Sequence, residues 1–336
     1  MRFARRHILL TLALPFLVGA AALGGHAPAR PLILVVHGRG YLTRDSAMIR
    51  RQALHALREG SFGLAGDSLL ADDDVRMVWY ADVLDSRHRD SNQLKTCVRR
   101  DEGSATTISA ASILRVFAVF ASDLLEASVS GDQADDVRGV AGDLRFFGDQ
   151  ASRCLAEGRI ADAISRAVDD GRPVVLVAHS LGALVAWSYL QHRGTASESQ
   201  PPEIRRLVTI GSPLGSDDLR ELLLDDSGPL ALPRGVRSWV NVVNERDPFA
   251  SRLLGRDSTG SQTRAIPEVS DVATQNGDDE PHELLSYLRD RSTVQAVLGA
   301  WCEAYAAVQK PRSTLSMPSP LSTNSASHIQ NCGMRP

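Results

Sequence analysis

The stretch PVVLVAHSLGALVAW, Pro173 to Trp187, sets one polar pair, His179 and Ser180, between an apolar run and a segment of small residues. Val174 to Ala178 reads as a buried strand, and Leu181 to Leu190, with no turn residue between, reads as a helix. A strand that becomes a helix within a residue or two needs small side chains two places before and after the bend, or they collide. Those places hold Ala178 and Gly182. A serine hydroxyl is a weak nucleophile near neutral pH and becomes useful when displayed on a tight turn beside a base. The competing reading of Ser180 is a helix N-cap. His179 adjoins the serine in the chain, which turns its side chain away, so it reads as packing or hydrogen-bonding beneath the bend rather than as the base.

Outward from this stretch the same alternation repeats. Leu32 to Val36 is a short apolar strand running into the glycine-bracketed turn HGRG, and Val75 to Val83 is a second β-rich run. Ile204 to Ile210 is closed by GSPLG, Val236 to Asn244 by ERDPF, and a weaker strand lies around Thr263 to Val269. Helical spacing marks Asp45 to Glu59, ending at Gly60, then Asp143 to Val168, and His282 to about Tyr305. Short all-apolar strands alternating with helices imply an α/β protein, a mostly parallel sheet covered on both faces. In such sheets ligands collect beyond the carboxyl ends of the strands. That rule points to His37 to Gly40, His179 to Gly182, Gly211 to Gly215 and Glu245 to Pro248.

Three segments together resemble the α/β-hydrolase fold, and within it the lipases and esterases. AHSLG is similar to the G-x-S-x-G nucleophile elbow with alanine in the first small position. LVVHGRG, Leu34 to Gly40, resembles the oxyanion loop after an early strand, and TIGSPLG resembles the segment after the next strand in many such lipases. The resemblance spans Leu32 to about Leu298 and implies a three-layer fold using the order Ser, acid, His. It implies Ser180 as nucleophile, Asp247 in NVVNERDPF as acid with Glu245 as fallback, and His282 as base, since downstream only His328 of the irregular tail competes. The oxyanion donors would be the backbone N–H groups of Leu181, at the helix start, and, by the resemblance, of Arg39. The Arg39 side chain is a candidate for meeting an acidic group on a substrate.

The activity so implied is hydrolysis of carboxylic esters, small-molecule or lipid. Transfer of the acyl group, thioester or amide cleavage on the same triad, and a silent hydrolase-fold binding protein remain alternatives. Residues 85–142 stand where this fold often carries a lid or cap, and Ile113, Val116, Phe117, Phe120 and Leu124 mark a helical face that suits either an acyl pocket or a plain core helix.

The 336 residues are 43% hydrophobic and 23% charged, which excludes a disordered chain and fits a globular body over 28–310 with an irregular tail over 311–336. Arg2, Arg5 and Arg6 precede an apolar run from Ile8 to about Leu23 that ends in small residues, the layout of a secretory signal peptide over 1–27. The run is shorter than the roughly 20 residues of a spanning helix. An exported protein, periplasmic or secreted, is expected, with transient contact to a lipid surface admissible. Losing three arginines takes the formal charge from -3 to -6, with no basic tract and therefore no expected nucleic-acid partner. Four cysteines in an exporting context favour the pairs Cys97 with Cys154 and Cys302 with Cys332. No metal or cofactor is expected: the acidic runs Asp72 to Asp74 and Asp278 to Glu280 read as solvated loops, and GSPLG lacks phosphate-loop spacing.

Overall fold

The computed structural model describes residues 29–41, 44–65, 69–84, 142, 145–195, 203–223, 230–255, 265–276, 280–309 and 332. Strands β1 (Leu32–Val36), β2 (Val75–Val78), β3 (Val174–His179), β4 (Ile204–Ile210), β5 (Trp239–Asn244) and β6 (Val269–Thr274) form one sheet. Its order is β2-β1-β3-β4-β5-β6 and every neighbouring pair is parallel. Parallel strands need helical crossovers, and these cover both faces, so the central strands β1 and β3 read as near-continuous apolar runs rather than alternating. β1 and β3 are buried along their whole length.

Successive side chains point to opposite faces of a strand, and they divide the core in two. Ile33, Val35, Val175, Val177, Val208, Ile210 and Val242 belong to one cluster; Leu32, Leu34, Val36, Leu176, Ala178, Leu207 and Trp239 belong to the other. The helices in chain order are α1 (Ser46–Ala65), α2 (Ala81–Leu84), α3 (Gln150–Asp169), α4 (Leu181–Thr195), α5 (Asp217–Leu223), α6 (Leu284–Arg289) and α7 (Arg291–Gln309). α1, α6 and α7 cover the first face, and α2 to α5 cover the second. The result is the three-layer arrangement expected for the α/β-hydrolase fold. No helix among the described residues is long and apolar enough to cross a membrane.

The amino ends of the strands are tied by polar groups. Asp74, fully buried, accepts from Arg30, from Arg172 and from the Ala71 N–H, while the Trp301 indole N–H donates to the Pro31 carbonyl. This carboxylate, from the acidic run read as a solvated loop, is therefore an internal anchor. Cys302 of α7 is joined to Cys332, the pairing expected. Cys154 is also disulfide-bonded, and its expected partner Cys97 lies outside the described residues. So do the expected signal segment, all of the expected cap except Gly142, and His328.

Several boundaries differ from the sequence reading. β2 stops at Val78, because the Tyr80 N–H turns to the His37 ring instead of continuing the ladder, and α2 begins at Ala81. The helix expected from Asp143 is broken at Asp149: 145–148 are helical, and the Asp149 carboxylate then caps α3 at the Ala151 N–H. β6 begins where the weak run was expected to end, after Glu268 turns the chain with φ of 62°. The last helix is divided at Asp290, whose carboxylate accepts from the N–H groups of Ser292 and Thr293 and starts α7 afresh. α5 carries no strong sequence signal and was not anticipated.

α1 runs through Gly60 instead of ending there, because the glycine serves a crossing: a Cβ at this position would stand 2.4 Å from the Arg289 carbonyl oxygen and 2.6 Å from Val294 Cγ2. Gly60→Ala gains about 1 kcal/mol of helix propensity but forces α1 off the α6–α7 junction, an overpacking cost of about 1–3 kcal/mol. Urea unfolding should therefore show a lower midpoint for this variant. A higher midpoint would mean that the crossing yields freely.

Candidate active site

At the carboxyl edge of the sheet, β1, β3, β4, β5 and β6 each release a loop toward one point. β3 passes into α4 through Ser180 alone, and Ser180 holds φ at 53°, one of two non-glycine residues with positive φ among those described. Such a conformation costs roughly 1–3 kcal/mol and persists where the surroundings impose it. They do so here: a Cβ on Gly182 would lie 2.3 Å from the His37 carbonyl oxygen and 2.9 Å from that of Val36, so α4 starts with its backbone against the end of β1. Ala178, the other small position, is fully buried. Ser180 is 4% exposed, and its hydroxyl lies 2.9 Å from His282 Nε2, not over the first turn of α4 as a cap.

His282 sits in the loop between β6 and α6, its side chain 26% exposed, with Nδ1 at 2.9 Å from both Asp247 oxygens. A carboxylate only accepts, so Nδ1 carries the ring proton and Nε2 accepts from the Ser180 hydroxyl. Asp247 follows β5, its side chain wholly buried. Burial, the largest influence, pushes this carboxyl up; the hydrogen bond and charge of His282, the Phe249 N–H and the Tyr287 hydroxyl together outweigh it and hold the group below its ordinary value. Glu245, the fallback, is paired with Arg252 and 73% exposed, so the structure brings Asp247 and not Glu245 to the histidine.

Residues that the sequence reading missed complete the frame. Tyr287 donates to Asp247 Oδ2 at 2.8 Å and accepts from the Asn244 N–H at 3.2 Å, tying α6 to the acid. Asn244 donates its side-chain amide to Asn276, which donates to the Pro281 carbonyl at 3.1 Å, beside the histidine. Gly211, with φ of 55°, leaves room for the acid, because a Cβ there would come within 3.0 Å of Asp247 Oδ2 and of the Tyr287 ring. Phe249 packs on the His282 ring at 4.6 Å between centroids, and the Arg39 guanidinium lies 5.9 Å from the Phe249 ring centre. Asn244 stands at the end of an apolar strand, where a polar side chain is a usable signal; Asn276, in a polar loop, and Tyr287 give none.

The loop after β1 is held from below. The His37 ring stacks on Tyr80 at 4.3 Å and accepts the Tyr80 N–H at Nε2, so its Nδ1–H donates to the Gly38 carbonyl at 2.7 Å. The Tyr80 hydroxyl donates to the His37 carbonyl at 2.9 Å. With these carbonyls engaged, the loop passes over the serine: a Cβ on Gly38 would be 2.9 Å from Ser180 Cβ. Arg39 is the next residue, and Leu181 opens α4 directly after Ser180. Ser212 of GSPLG is fully buried, its hydroxyl accepting from the Leu214 N–H. Among the described residues no group of His, Cys, Asp and Glu could hold a metal ion.

A serine held at positive φ and linked through a histidine to a buried carboxylate, at the carboxyl edge of a parallel sheet, defines a hydrolase-fold enzyme. The model of the alpha/beta hydrolase family matches residues 115–315, more than half of the chain, and the protein belongs to that family. The match starts after β2, so the loop of His37 to Gly40 lies outside it. No curated protein and no solved structure matches the chain.

Two buried histidines make stability depend on pH. Burial lowers His37 to about 4 and His179 to about 3, against about 6.5 in an unfolded chain. Between those values the unfolded state binds more protons than the folded one, so stability is full above about 6.5 and falls as pH drops toward 4. The slope should approach about 1.4 kcal/mol per pH unit for each ring. Urea titrations at pH 7 and pH 4.5 measure it, and equal unfolding free energies would show that these rings do not stay neutral inside.

Proposed function

We propose that this protein is an exported serine hydrolase that cleaves carboxylic esters, in the manner of lipases and esterases, through an acyl-enzyme. The observation that carries this reading is the unbroken chain of 2.9 Å contacts from Ser180 through His282 to Asp247. In the reaction, Ser180 Oγ attacks the ester carbonyl carbon while its proton passes to His282 Nε2, and Asp247 stabilises the imidazolium that forms. The carbonyl oxygen takes negative charge and is met by the N–H groups of Leu181 and Arg39. Collapse expels the alcohol, which leaves with the proton from His282, and water repeats the sequence to release the acid. Export is supported by the charged-then-apolar start of the chain and by the Cys302–Cys332 disulfide, a bond that persists in oxidising compartments.

The same triad would serve transfer to an alcohol, or thioester and amide cleavage, and a panel of acceptors separates these. Incubation of the purified protein with a fluorophosphonate probe should label it, with labelling lost in Ser180→Ala and kept in Ser212→Ala. Absence of labelling in the wild type would sink the enzyme reading. With nitrophenyl esters of rising chain length, Asp247→Asn should lower kcat by roughly 10⁴, since the amide favours the wrong histidine tautomer. Glu245→Gln should leave turnover near that of the wild type.

A further inference from the structure

His179 stands one residue before Ser180, and the reaction described above gives it no part. Its ring is buried with the nucleophile's backbone on one side and the base on the other. Nε2 lies 2.8 Å from the main-chain carbonyl oxygen of His282, and the two rings are 4.9 Å apart between centroids. A carbonyl only accepts, so Nε2 carries the proton and donates it there. Nδ1 has no hydrogen-bond partner among the described residues.

The slot around this ring is built from glycine on two sides. A Cβ on Gly38 would stand 2.7 Å from His179 Nδ1, and one on Gly211 would stand 3.3 Å from His179 Cδ2. Gly38 belongs to the loop after β1, and Gly211 faces Asp247. One imidazole is thus in van der Waals range of the loop that lies over Ser180 and of the segment that flanks the acid, and in hydrogen-bond range of the loop that carries the base. Desolvation lowers the ring's pKa to about 3, so near neutral pH the contact is an uncharged N–H to C=O bond.

Resting on the reading of this site as a Ser-His-Asp hydrolase, we propose that His179 is a positioning residue: its Nε2–H, donated to the His282 carbonyl, sets the reach of the base to Ser180 Oγ. The base loop is then held at two backbone points, the Pro281 carbonyl by Asn276 and the His282 carbonyl by His179. His179 shares a peptide bond with Ser180, so its side chain couples nucleophile and base through a single residue. It touches no substrate and transfers no proton.

The test compares His179→Leu, which fills the slot without a donor, with His179→Gln, whose amide can reach the same carbonyl. For His179→Leu the expected outcome is a fall in kcat and in fluorophosphonate labelling rate by roughly 10- to 100-fold, the size of effect of a small misplacement of a catalytic group. KM should stay within about twofold, because the lost interaction concerns the reacting geometry and not ground-state binding. His179→Gln should recover most of the loss. Wild-type-like kcat in His179→Leu, equal impairment of both variants, or a rise in KM alone would overturn the proposal. Nitrogen NMR of the wild-type histidines reads the bond without any variant: His179 should be the Nε2–H tautomer from pH 5 to 9, and an Nδ1–H tautomer would overturn the strut even if neither variant folds. A wild type that neither labels nor turns over esters removes the hydrolase reading itself, whereas an active wild type with an insensitive His179→Leu removes the strut alone.

Discussion

The bend at Ser180 is the constraint from which the rest of the site follows. A strand and a helix meet there across one residue, and the junction closes because Gly182 lets the helix backbone lie against the carbonyls of Val36 and His37. That contact requires β1 and β3 to be neighbours in register, with Val36 beside Ala178. The strained φ of the serine is thus maintained by the pairing of two wholly buried strands, the part of the fold that local fluctuation reaches last. An unfavourable local conformation persists because loss of it would open the sheet.

Beneath the bend, polar groups are managed by neutrality and by partnership. Burial holds His37 and His179 uncharged, so neither ring adds a positive charge next to an imidazolium on His282. The buried carboxylate of Asp247 is met by three donors: the His282 ring, the Tyr287 hydroxyl and the Phe249 N–H. A carboxylate so surrounded is a fixed electrostatic partner rather than a proton acceptor, which suits the orienting role assigned to it.

Much of this was legible in the chain. Ser180 and Asp247 could be named because each lies just past an apolar run, with small residues flanking the serine at fixed offsets, whereas His282, in a polar loop at the start of a helix, could be named because the resemblance implies the order Ser, acid, His and only His328 competes downstream. The β4 boundaries were readable because Ile204 to Ile210 is apolar at its carboxyl end and bounded by turn residues. What was not legible depends on which atoms meet across the sheet. Gly60 looks like a helix stop until the Arg289 carbonyl is found beside it. Asp74 looks like part of a solvated run until two arginines close on it. The end of β2 is set by a partner far along the chain, the His37 ring, which no local pattern encodes, whereas the start of α7 is set by the Asp290 cap directly before it.

β4 gives no side chain to the hydrogen-bonded line of Ser180, His282 and Asp247, and its position has a metric consequence. The serine leaves β3 and the carboxylate leaves β5, so β4 stands between them, and neighbouring strands are about 4.8 Å apart. The gap to be bridged is therefore two strand spacings, close to what one imidazole with a hydrogen bond at each end can cover. The sheet acts as a ruler whose blank division is β4, and Gly211 at its tip clears the line of sight. The separation of serine and carboxylate is in this sense a property of backbone ladders, within which the side chains have only to place the imidazole.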